Sequence, residues 1–390
     1  AFYCTSSFLL GNILMALRGI KVLEIAGLAP APFCGMILAD FGASVVRIDK
    51  TAPLPDIDCL SNGKKSIAIN LKTKRGVEVF HKLCSNTDVL IEPFRKGVME
   101  KLGLGPSELM QHNPRLVYAR LSGFGQEGIY SERVGHDINF VSMSGLLSLL
   151  GEEGRQPTPP VNLAADFGGG GLMCALGIVL ALLERHTSGA GQVVDCGMVG
   201  GTAYLASWLM RSQTLPIWGQ LRGRNILDGG AHFYTTYQTK DGGWMAVGAL
   251  EPQFYDQLLQ GLGLENVPQF PEDFRECKKI FAEKFKEKTQ QEWCQIFEEL
   301  DACVTPVLSL PDAATHPHNV DNRTFVADRE VTTPNPAPKL SRTPGQSLSH
   351  LPRPRAGQHT KEVLEEAGLP TEEIQELLRL GVVGCTDSKL

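Results

Sequence analysis

Two short stretches of this chain place acid–base groups in otherwise apolar surroundings. His136 and Asp137 lie in VGHDINFVSMSG, residues 134–145, just ahead of apolar residues that fit the buried face of a helix. Asp166 lies in VNLAADFGGGG, residues 161–171, between two alanines and a run of glycines. A titratable group without a partner is costly in such surroundings. His136 and Asp166 are therefore candidates for proton transfer.

Each of these groups also has a structural interpretation. A single histidine at a helix start and an aspartate before glycines are both common in helix caps. Asp137 cannot share a target with His136, because adjacent helical side chains point about 100° apart; we expect it to be an acceptor at the start of its helix. Glu251 directly precedes Pro252, which predicts an N-cap position that favours the ionised carboxylate. Glu251 could equally orient a histidine.

A cluster of basic residues forms a second candidate site. The segment SNGKKSIAINLKTKR, residues 61–75, is rich in Lys and Arg and contains no acid, in a chain whose formal net charge is −6. Lys50 precedes it, and Arg95 follows a predicted strand. Phosphorylated ligands bind at the carboxyl ends of strands in open α/β sheets. The cluster predicts a site for an anionic small molecule, with a solvated basic surface as the alternative.

Composition excludes several classes of protein. A length of 390 residues fits two domains better than three, and the negative net charge argues against nucleic-acid binding. The ten cysteines include no CxxC pair, which predicts reduced thiols and neither disulfides nor a zinc site. The isolated HPH at 316–318 is a weak metal signal, and we expect no metal. The apolar run at 172–183 is shorter than the ~20 residues of a membrane span and predicts a buried core helix.

Strand and helix patterns alternate from Met15 onward. The predicted strands are GIKVLEIAG, SVVRIDK, DVLIE, LVYARLSG and QVVDCGM, with helical patterns between them. Such alternation predicts an α/β fold with a parallel sheet and right-handed crossovers. A nicotinamide-binding fold is one alternative. It is disfavoured because the turn AGLAPAP after the first strand lacks the glycines of GxGxxG and carries two prolines without N–H groups.

These patterns divide the chain into segments. Residues 1–14, ahead of Met15, form an N-terminal extension that we expect to be disordered, and 15–210 form a large Rossmann-like domain. Residues 225–325, with a hairpin and a capping box, predict a smaller α+β domain. Residues 330–387 combine a proline-rich connector with two helices that pack on the large domain; a polyproline ligand for a partner is the alternative for the proline-rich part.

Longer motifs carry a family resemblance. In chain order they are ADFGASVVRIDK, NGKKSIAINLK, EPFRKGVMEKLGLGP, ARLSGFGQEG, GHDINF, LAADFGGGGLMCALG, GGAHFYTTYQTKDG, VGALEPQFY, DACVTPV and GQHTKEVLEEAG. Together they resemble the family III CoA-transferase superfamily, and within it the branch that racemises acyl-CoA thioesters. The motifs occur in order from Met15 to the C-terminus, so the resemblance covers nearly the whole chain.

The resemblance implies an interlocked homodimer, in which each chain has a Rossmann-like CoA-binding domain and a small domain. It assigns catalysis to His136 and Asp166, and it implies that Glu251 on the small domain completes the site across the dimer interface. The CoA contacts that it implies are Lys50, Ile69, Asn70, Leu71, Lys72, Arg95, Gly135, His136, Asp137, Ile138, Asn139 and Phe140. Lys50 departs from the arginine usual in the family, which keeps the charge but loses bidentate phosphate binding.

The implied reaction suits these residues. Inverting a carbon next to a thioester requires removing a proton from one face and returning one to the other, so two groups must flank it. The enolate oxygen needs donors, and backbone N–H groups near Asp166, Phe167 and Gly168 are candidates. The glycines at 168–171 would let that backbone approach the substrate closely. No cofactor is required, because CoA arrives attached to the substrate.

The resemblance implies 2-methyl-branched fatty acyl-CoA esters and bile-acid intermediates as substrates. The alternative enzyme is a CoA-transferase of the same superfamily, in which Asp166 would be the nucleophile of an acyl anhydride. We favour the racemase because His136 is a ready proton acceptor that anhydride chemistry does not need. A CoA-binding protein without activity would leave three acid–base groups unexplained.

The last three residues, Ser388-Lys389-Leu390, match the peroxisomal targeting tripeptide. They predict recognition by the peroxisomal import receptor and a peroxisomal location. The resemblance also implies a mitochondrial pool, for which residues 1–30 carry no signal.

Overall fold

The computed structural model describes residues 15–52, 57–328 and 331–386, which form two compact units. The predicted extension 1–14 and the tripeptide 388–390 lie outside the described residues. Among the described residues, the large unit comprises those from 15 to 140, those from 162 to 205 and those from 321 to 386. The small unit comprises 141–161 and 206–320.

The strands and helices are as follows. The strands are β1 (Lys21–Ile25), β2 (Ser44–Asp49), β3 (Lys65–Ile69), β4 (Val89–Glu92), β5 (Val117–Ser122), β6 (Val193–Gly197), β7 (Tyr234–Gln238), β8 (Trp244–Gly248), β9 (Val304–Pro306), β10 (Phe325–Asp328), β11 (Val331–Pro334) and β12 (Val383–Gly384). The α-helices are α1 (Pro30–Asp40), α2 (Lys74–Cys84), α3 (Val98–Lys101), α4 (Pro106–His112), α5 (Asp137–Met143), α6 (Met173–Ser188), α7 (Met198–Leu205), α8 (Ser207–Arg211), α9 (Pro252–Leu262), α10 (Phe274–Phe285), α11 (Gln290–Phe297), α12 (Leu310–Thr315), α13 (Pro317–Asp321), α14 (Thr360–Glu366) and α15 (Thr371–Arg379). A π-helix spans Leu163–Leu172, and 3₁₀ turns span Leu146–Leu149, Ser212–Thr214 and Ile226–Asp228.

The large unit is built on a seven-stranded sheet with the order β12-β3-β2-β1-β4-β5-β6. Strands β1 to β6 are parallel, and β12 runs antiparallel to β3. The predicted α/β fold with a parallel sheet is confirmed. The strand order reverses between β1 and β4, as in doubly wound folds, where ligands bind beyond the carboxyl ends of the strands. The two-residue strand β12 was not predicted, because so short an element carries no pattern.

Burial explains why the strands read as apolar runs. All of β4 and β5 is buried, including their charged residues Glu92 and Arg120, as expected for strands covered on both faces. The two C-terminal helices contribute Val363, Leu364 and Ile374 to the same core. Between β11 and α14 the chain has neither helix nor strand.

Helix α6 was predicted to be a buried core helix, but only one of its faces is buried. One face is buried through Cys174, Ile178 and Leu182. The opposite face exposes Leu176, Val179, Leu180 and Leu183 in this chain. With the preceding π-helix, α6 makes a helical run that, by length and composition alone, would be able to cross a membrane. A core helix that is only partly covered passes the same test.

The small unit contains the three-stranded antiparallel sheet β7-β8-β9 and a core that includes Phe281, Phe285 and Trp293. The predicted hairpin is β7–β8, and the predicted capping box of Thr289 and Glu292 starts α11. The boundaries differ from the expected 225–325. Segment 141–161 belongs to this unit and not to the large one, because Arg222 donates to the Ser148 and Arg155 carbonyls and Arg224 pairs with Glu153.

Candidate active site

His136 lies directly ahead of α5 in the loop that follows β5. Its carbonyl oxygen accepts from the N–H groups of Asn139 at 2.8 Å and Phe140 at 3.3 Å. Its own N–H donates to Oδ1 of Asn139 at 3.1 Å. The bond from the side chain of Asn139 to the N–H at the helix start corresponds to one half of a capping box. It fixes the backbone of His136 while leaving the imidazole exposed.

Gly135 and the ring of Phe140 shape the same loop. A Cβ added at Gly135 would lie 2.7 Å from Cε1 of Phe140, closer than side chains tolerate. Phe140 is buried and packs edge-to-face on Phe124. The loop therefore requires glycine beside the histidine, and of the implied CoA contacts at 135–140, Phe140 and Asp137 are buried while Ile138 and Asn139 are exposed.

Asp166 lies in the π-helix and is half-buried. Burial raises the pKa of its carboxyl group above the usual range, and the nearby charge of Asp137 raises it further. The amide of Asn162, whose Nδ2 donates to Oδ2 of Asp166 at 3.4 Å, lowers that pKa, as does the charge of His136. The structure thus brings His136 and Asp166 close enough to interact electrostatically. A carboxyl group with a raised pKa is suited to both taking and returning a proton.

Asp137 was predicted to be an acceptor at the start of its own helix, but it caps a different helix. Its side chain is 5% exposed, and its Oδ1 accepts from the backbone N–H groups of Ala165 and Asp166, both at 2.8 Å. These donors lie in the first turn of the π-helix, where N–H groups have no partner within the helix. Of the backbone N–H groups near Asp166, Phe167 and Gly168 that were candidates for the enolate oxygen, that of Asp166 already donates to Asp137.

The glycine run behind Asp166 packs against other parts of the chain, a role that was not predicted. Gly169, Gly170 and Gly171 are buried. A Cβ at Gly169 would lie 2.4 Å from the backbone nitrogen of Thr202, and one at Gly201 would lie 1.8 Å from the Gly169 oxygen. The absence of side chains lets α7 and the π-helix touch backbone to backbone, which fixes the helix that carries Asp166.

The basic residues separate into two groups. Lys50, Lys72 and Arg95 are exposed and follow the carboxyl ends of β2, β3 and β4, where an anionic ligand is expected. One guanidinium N–H of Arg95 donates to the Glu132 carbonyl at 2.8 Å. Lys50 and Lys72 flank the strand pair β2–β3, so these three cations share one edge of the sheet.

Several other basic residues of this region are paired within the chain. Lys64 is buried against Glu24, Lys65 bridges Glu362 and Glu366, and Arg47, Asp49 and Asp58 form another group. The expectation of a phosphate site does not hold for Lys64 and Lys65. Their charges are neutralised by carboxylates that are distant in sequence.

Three further predicted CoA contacts have structural roles in this chain. The Ile69 side chain is 2% exposed and belongs to the core, so a CoA contact there would use main-chain atoms. Asn70 donates its N–H to the Val382 carbonyl and accepts at Oδ1 from the Lys72 N–H. Leu71 is partly buried against the same core.

Glu251 occupies the N-cap of α9, as predicted, with Pro252 as the first helical residue. Its side chain is exposed and makes no capping hydrogen bond. Its charge raises the pKa of the neighbouring Cys303 thiol, an effect that is secondary to burial of that thiol. The carboxylate is therefore not used by its own helix.

Sequence reasoning missed the two asparagines that position the site, Asn139 and Asn162. The first carries a local signal, because it lies three residues after His136, the spacing of a capping box. Asn162 lies four residues before Asp166 but carries no comparable signal. No group of three or more His, Cys, Asp or Glu side chains that could hold a metal ion occurs in the described part of the chain.

Comparisons with known proteins give the family and the fold. A family model described as CoA-transferase family III matches residues 17–360. The chain is 57% identical to alpha-methylacyl-CoA racemase of Mus musculus and 54% identical to that of Homo sapiens, in both cases over 93% of this chain and 96% of the relative. A CAIB/BAIF family protein from Brucella suis, 23% identical, has a TM-score of 0.75 and covers 91% of this chain and 100% of its own.

Proposed function

The chain belongs to CoA-transferase family III, and on this premise we propose that it is an isomerase that racemises 2-methyl-branched acyl-CoA thioesters. The substrate class includes branched fatty acyl-CoA esters and bile-acid intermediates. The high identity to alpha-methylacyl-CoA racemases over nearly the full length of both chains supports this activity. The transferase alternative is not favoured.

The geometric observation that carries the proposal is the association of His136 and Asp166 through Asp137. Asp137 is the sequence neighbour of His136 and is bonded to the backbone of Asp166. Racemisation needs two proton-transfer groups whose separation is constant, because one group cannot reach both faces of the α-carbon. Asp137, which is linked to both residues, keeps that separation constant.

The reaction conserves atoms and electrons. One base removes the α-proton, and the electron pair of the C–H bond passes into the thioester carbonyl to give an enolate. The conjugate acid of the other base then protonates the opposite face, and the thioester is restored. The two groups exchange protonation states in a turnover, and proton exchange with solvent or a turnover in the opposite direction restores them. No electrons leave the substrate, so the reaction needs no redox cofactor, and we propose that it uses no metal either.

Binding of the CoA portion is proposed for Lys50, Lys72 and Arg95, supported by their exposure and by their position at the carboxyl edge of the sheet. Main-chain atoms near Ile69 and the loop at 135–140 would complete the contacts. Glu251 is proposed to orient or polarise a catalytic histidine, which its exposed carboxylate at an N-cap permits.

A homodimer is proposed on the exposed apolar face of α6. Leu176, Leu180 and Leu183 lie on one side of that helix and are 46%, 55% and 66% exposed. Contiguous exposed apolar surface marks an interaction site, and a family resemblance to interlocked dimers supports a second copy of this chain as the partner.

A peroxisomal location is proposed on Ser388-Lys389-Leu390, which the import receptor would bind. A mitochondrial pool is proposed on the family resemblance. Imaging of a fluorescent fusion with and without the tripeptide tests this. Import that persists without it contradicts the proposal, and signal in mitochondria reveals the second pool.

The activity is tested by incubating each epimer of a 2-methyl-branched acyl-CoA with the protein in heavy water. We expect deuterium at the α-carbon and convergence of both samples on one epimer ratio. Deuteration without convergence of the epimer ratios contradicts racemisation, and so does the absence of both effects. Transfer of CoA to an added free carboxylic acid would support the transferase instead.

A further inference from the structure

The carboxylate of Asp137 is buried in a way that its own helix does not explain. It is 5% exposed, and while Oδ1 accepts two backbone N–H groups, Oδ2 is buried without a hydrogen-bond partner among the described residues. A half-satisfied buried carboxylate is costly. The charge of Asp137 must therefore provide an interaction that a neutral residue of similar shape would not make.

The two N–H groups that Asp137 accepts come from the helix that carries Asp166. They lie 28 and 29 residues along the chain. The N-cap residue of that helix, Asn162, makes no capping bond; its amide donates to the Asp166 carboxylate instead. An anion at a helix N-terminus is favourable, and charge-assisted hydrogen bonds are the stronger kind. Asp137 therefore replaces the missing local cap.

The other end of this link is equally constrained. Asp137 follows His136, whose N–H and C=O are both bonded to Asn139. The peptide unit between His136 and Asp137 is rigid. The backbones that carry the histidine and the aspartate are thus joined by one covalent step and one pair of hydrogen bonds.

We propose that Asp137 is a positioning residue, whose buried carboxylate holds the Asp166 helix against the start of the His136 helix and so sets the separation of the two proton-transfer groups. This rests on the proposed racemase function. The negative charge has a second effect: after burial, it raises the pKa of Asp166, while the charge of His136 acts in the opposite direction. His136 and Asp137 are the charged groups that act on Asp166 within the described residues.

The test compares Asp137→Ala and Asp137→Asn in the full-length protein, with α-deuteration followed from each epimer separately. Asp137→Ala removes the cap of the Asp166 helix but leaves the Asn139 bonds of His136. Exchange from the epimer whose proton faces Asp166 should fall on the order of 10²-fold, and exchange from the other epimer should fall less. Asp137→Asn keeps an acceptor oxygen and should restore exchange to within roughly tenfold of wild type.

The pH profile separates positioning from folding. Without the charge at residue 137, the pKa of Asp166 falls, so the acidic limb of Asp166-side exchange should move to lower pH in Asp137→Asn. A role in folding alone would lower the amount of active protein and leave the limb in place. The matched control is Asp40→Asn, since Asp40 is also a buried aspartate, 8% exposed, that accepts a backbone N–H. It should leave both the limb and the ratio of the two exchange rates unchanged.

Two outcomes overturn the inference: equal loss of exchange from both epimers in Asp137→Ala, or an unmoved limb in Asp137→Asn. If Asp137→Ala does not fold, the position of the acidic limb in the pH profile of Asp137→Asn tests the inference. If wild-type protein exchanges neither epimer, the racemase function fails, and that result is distinct from either.

Discussion

Lys64 and Glu24 form an ion pair in which neither side chain is exposed. Nζ of Lys64 lies 2.8 Å from Oε2 of Glu24 and 2.9 Å from the carbonyl oxygen of Pro32. A Cβ at Gly35 would lie 1.7 Å from the same Oε2, so α1 needs glycine beside the pair. The pair links the loop before β3 to β1 and α1. The most buried lysine of the basic segment therefore stabilises the fold and does not bind a ligand.

Removing Lys64 should destabilise the large unit. Lys64→Met leaves Glu24 charged and buried without its partner, and burial already raises the pKa of Glu24. Breaking a buried pair in this way costs about 3–5 kcal/mol. Urea unfolding at neutral pH measures the loss. The control Lys72→Met, at an exposed lysine, should change the free energy of unfolding by less than about 0.5 kcal/mol. Equal stabilities for the two variants would contradict this role.

Arg95 should contribute to binding of the CoA portion, and Lys65 should not. Arg95→Ala removes an exposed cation at the carboxyl edge of the sheet, which should raise KM for acyl-CoA by about tenfold and weaken the dependence of KM on salt. Lys65→Ala removes a lysine that is already paired with Glu362 and Glu366 and serves as the control. Steady-state kinetics from low to high salt decide between them. A change in KM for Lys65→Ala alone would reverse the assignment.

His136→Ala and Asp166→Asn should each lower the rate of epimer interconversion by a factor of about 10²–10⁴. Each variant removes one route of proton transfer, so each should still exchange the α-proton of the epimer that faces the surviving base. Chiral separation and mass spectrometry of products formed in heavy water measure both effects. Full racemisation without His136 would contradict the two-base assignment, as would an acyl adduct on Asp166 trapped by hydroxylamine.

His232 should make the small unit sensitive to acid. It is fully buried, with Nε2 2.7 Å from the Tyr255 hydroxyl, and burial, with a smaller effect from Lys278, lowers its pKa from 6.5 to about 4. The histidine of the unfolded chain then binds a proton more readily than that of the folded chain. The contribution of neutral His232 to the free energy of unfolding is therefore fully present above about pH 6.5 and is lost as the pH falls towards 4. At about 1.4 kcal/mol per pH unit the loss is roughly 3 kcal/mol.

Thermal melting between pH 7 and 4 tests this dependence. His232→Phe keeps an aromatic ring in the cluster but cannot titrate, so its melting temperature should fall less over that interval. His318→Phe, at an exposed histidine of the same unit, is the control. Parallel curves for His232→Phe and wild type would show that another group dominates the acid response.

The exposed face of α6 should hold two copies of the chain together. Leu176→Glu combined with Leu180→Glu places charges on that face, and a charge buried in an interface without a partner is strongly unfavourable. Sedimentation should then show monomers for the double variant, whereas we expect dimers for wild type. Glu184→Gln, on an exposed position of the same helix, is the control. A double variant that remains dimeric would place the interface elsewhere.

Features that depend on neighbouring residues were predictable from sequence. The strands β1, β2, β4, β5 and β6 follow from short apolar runs between helical patterns. The start of α9 follows from Pro252, and the start of α11 from Thr289 and Glu292, three residues apart. Each involves contacts within a few residues, so the pattern that produces the structure is also visible as a pattern of letters.

Tertiary structure decided which polar groups meet. Asp137 accepts from backbone N–H groups 28 and 29 residues away, and a backbone donor leaves no trace in residue type. Lys64 meets Glu24 across 40 residues, and the charge of a lysine does not say whether a carboxylate already neutralises it. The sequence determined which residues have the chemistry for proton transfer, because side-chain type alone sets that capacity. Their separation and protonation are set by long-range packing and burial, which exist only once the chain has folded.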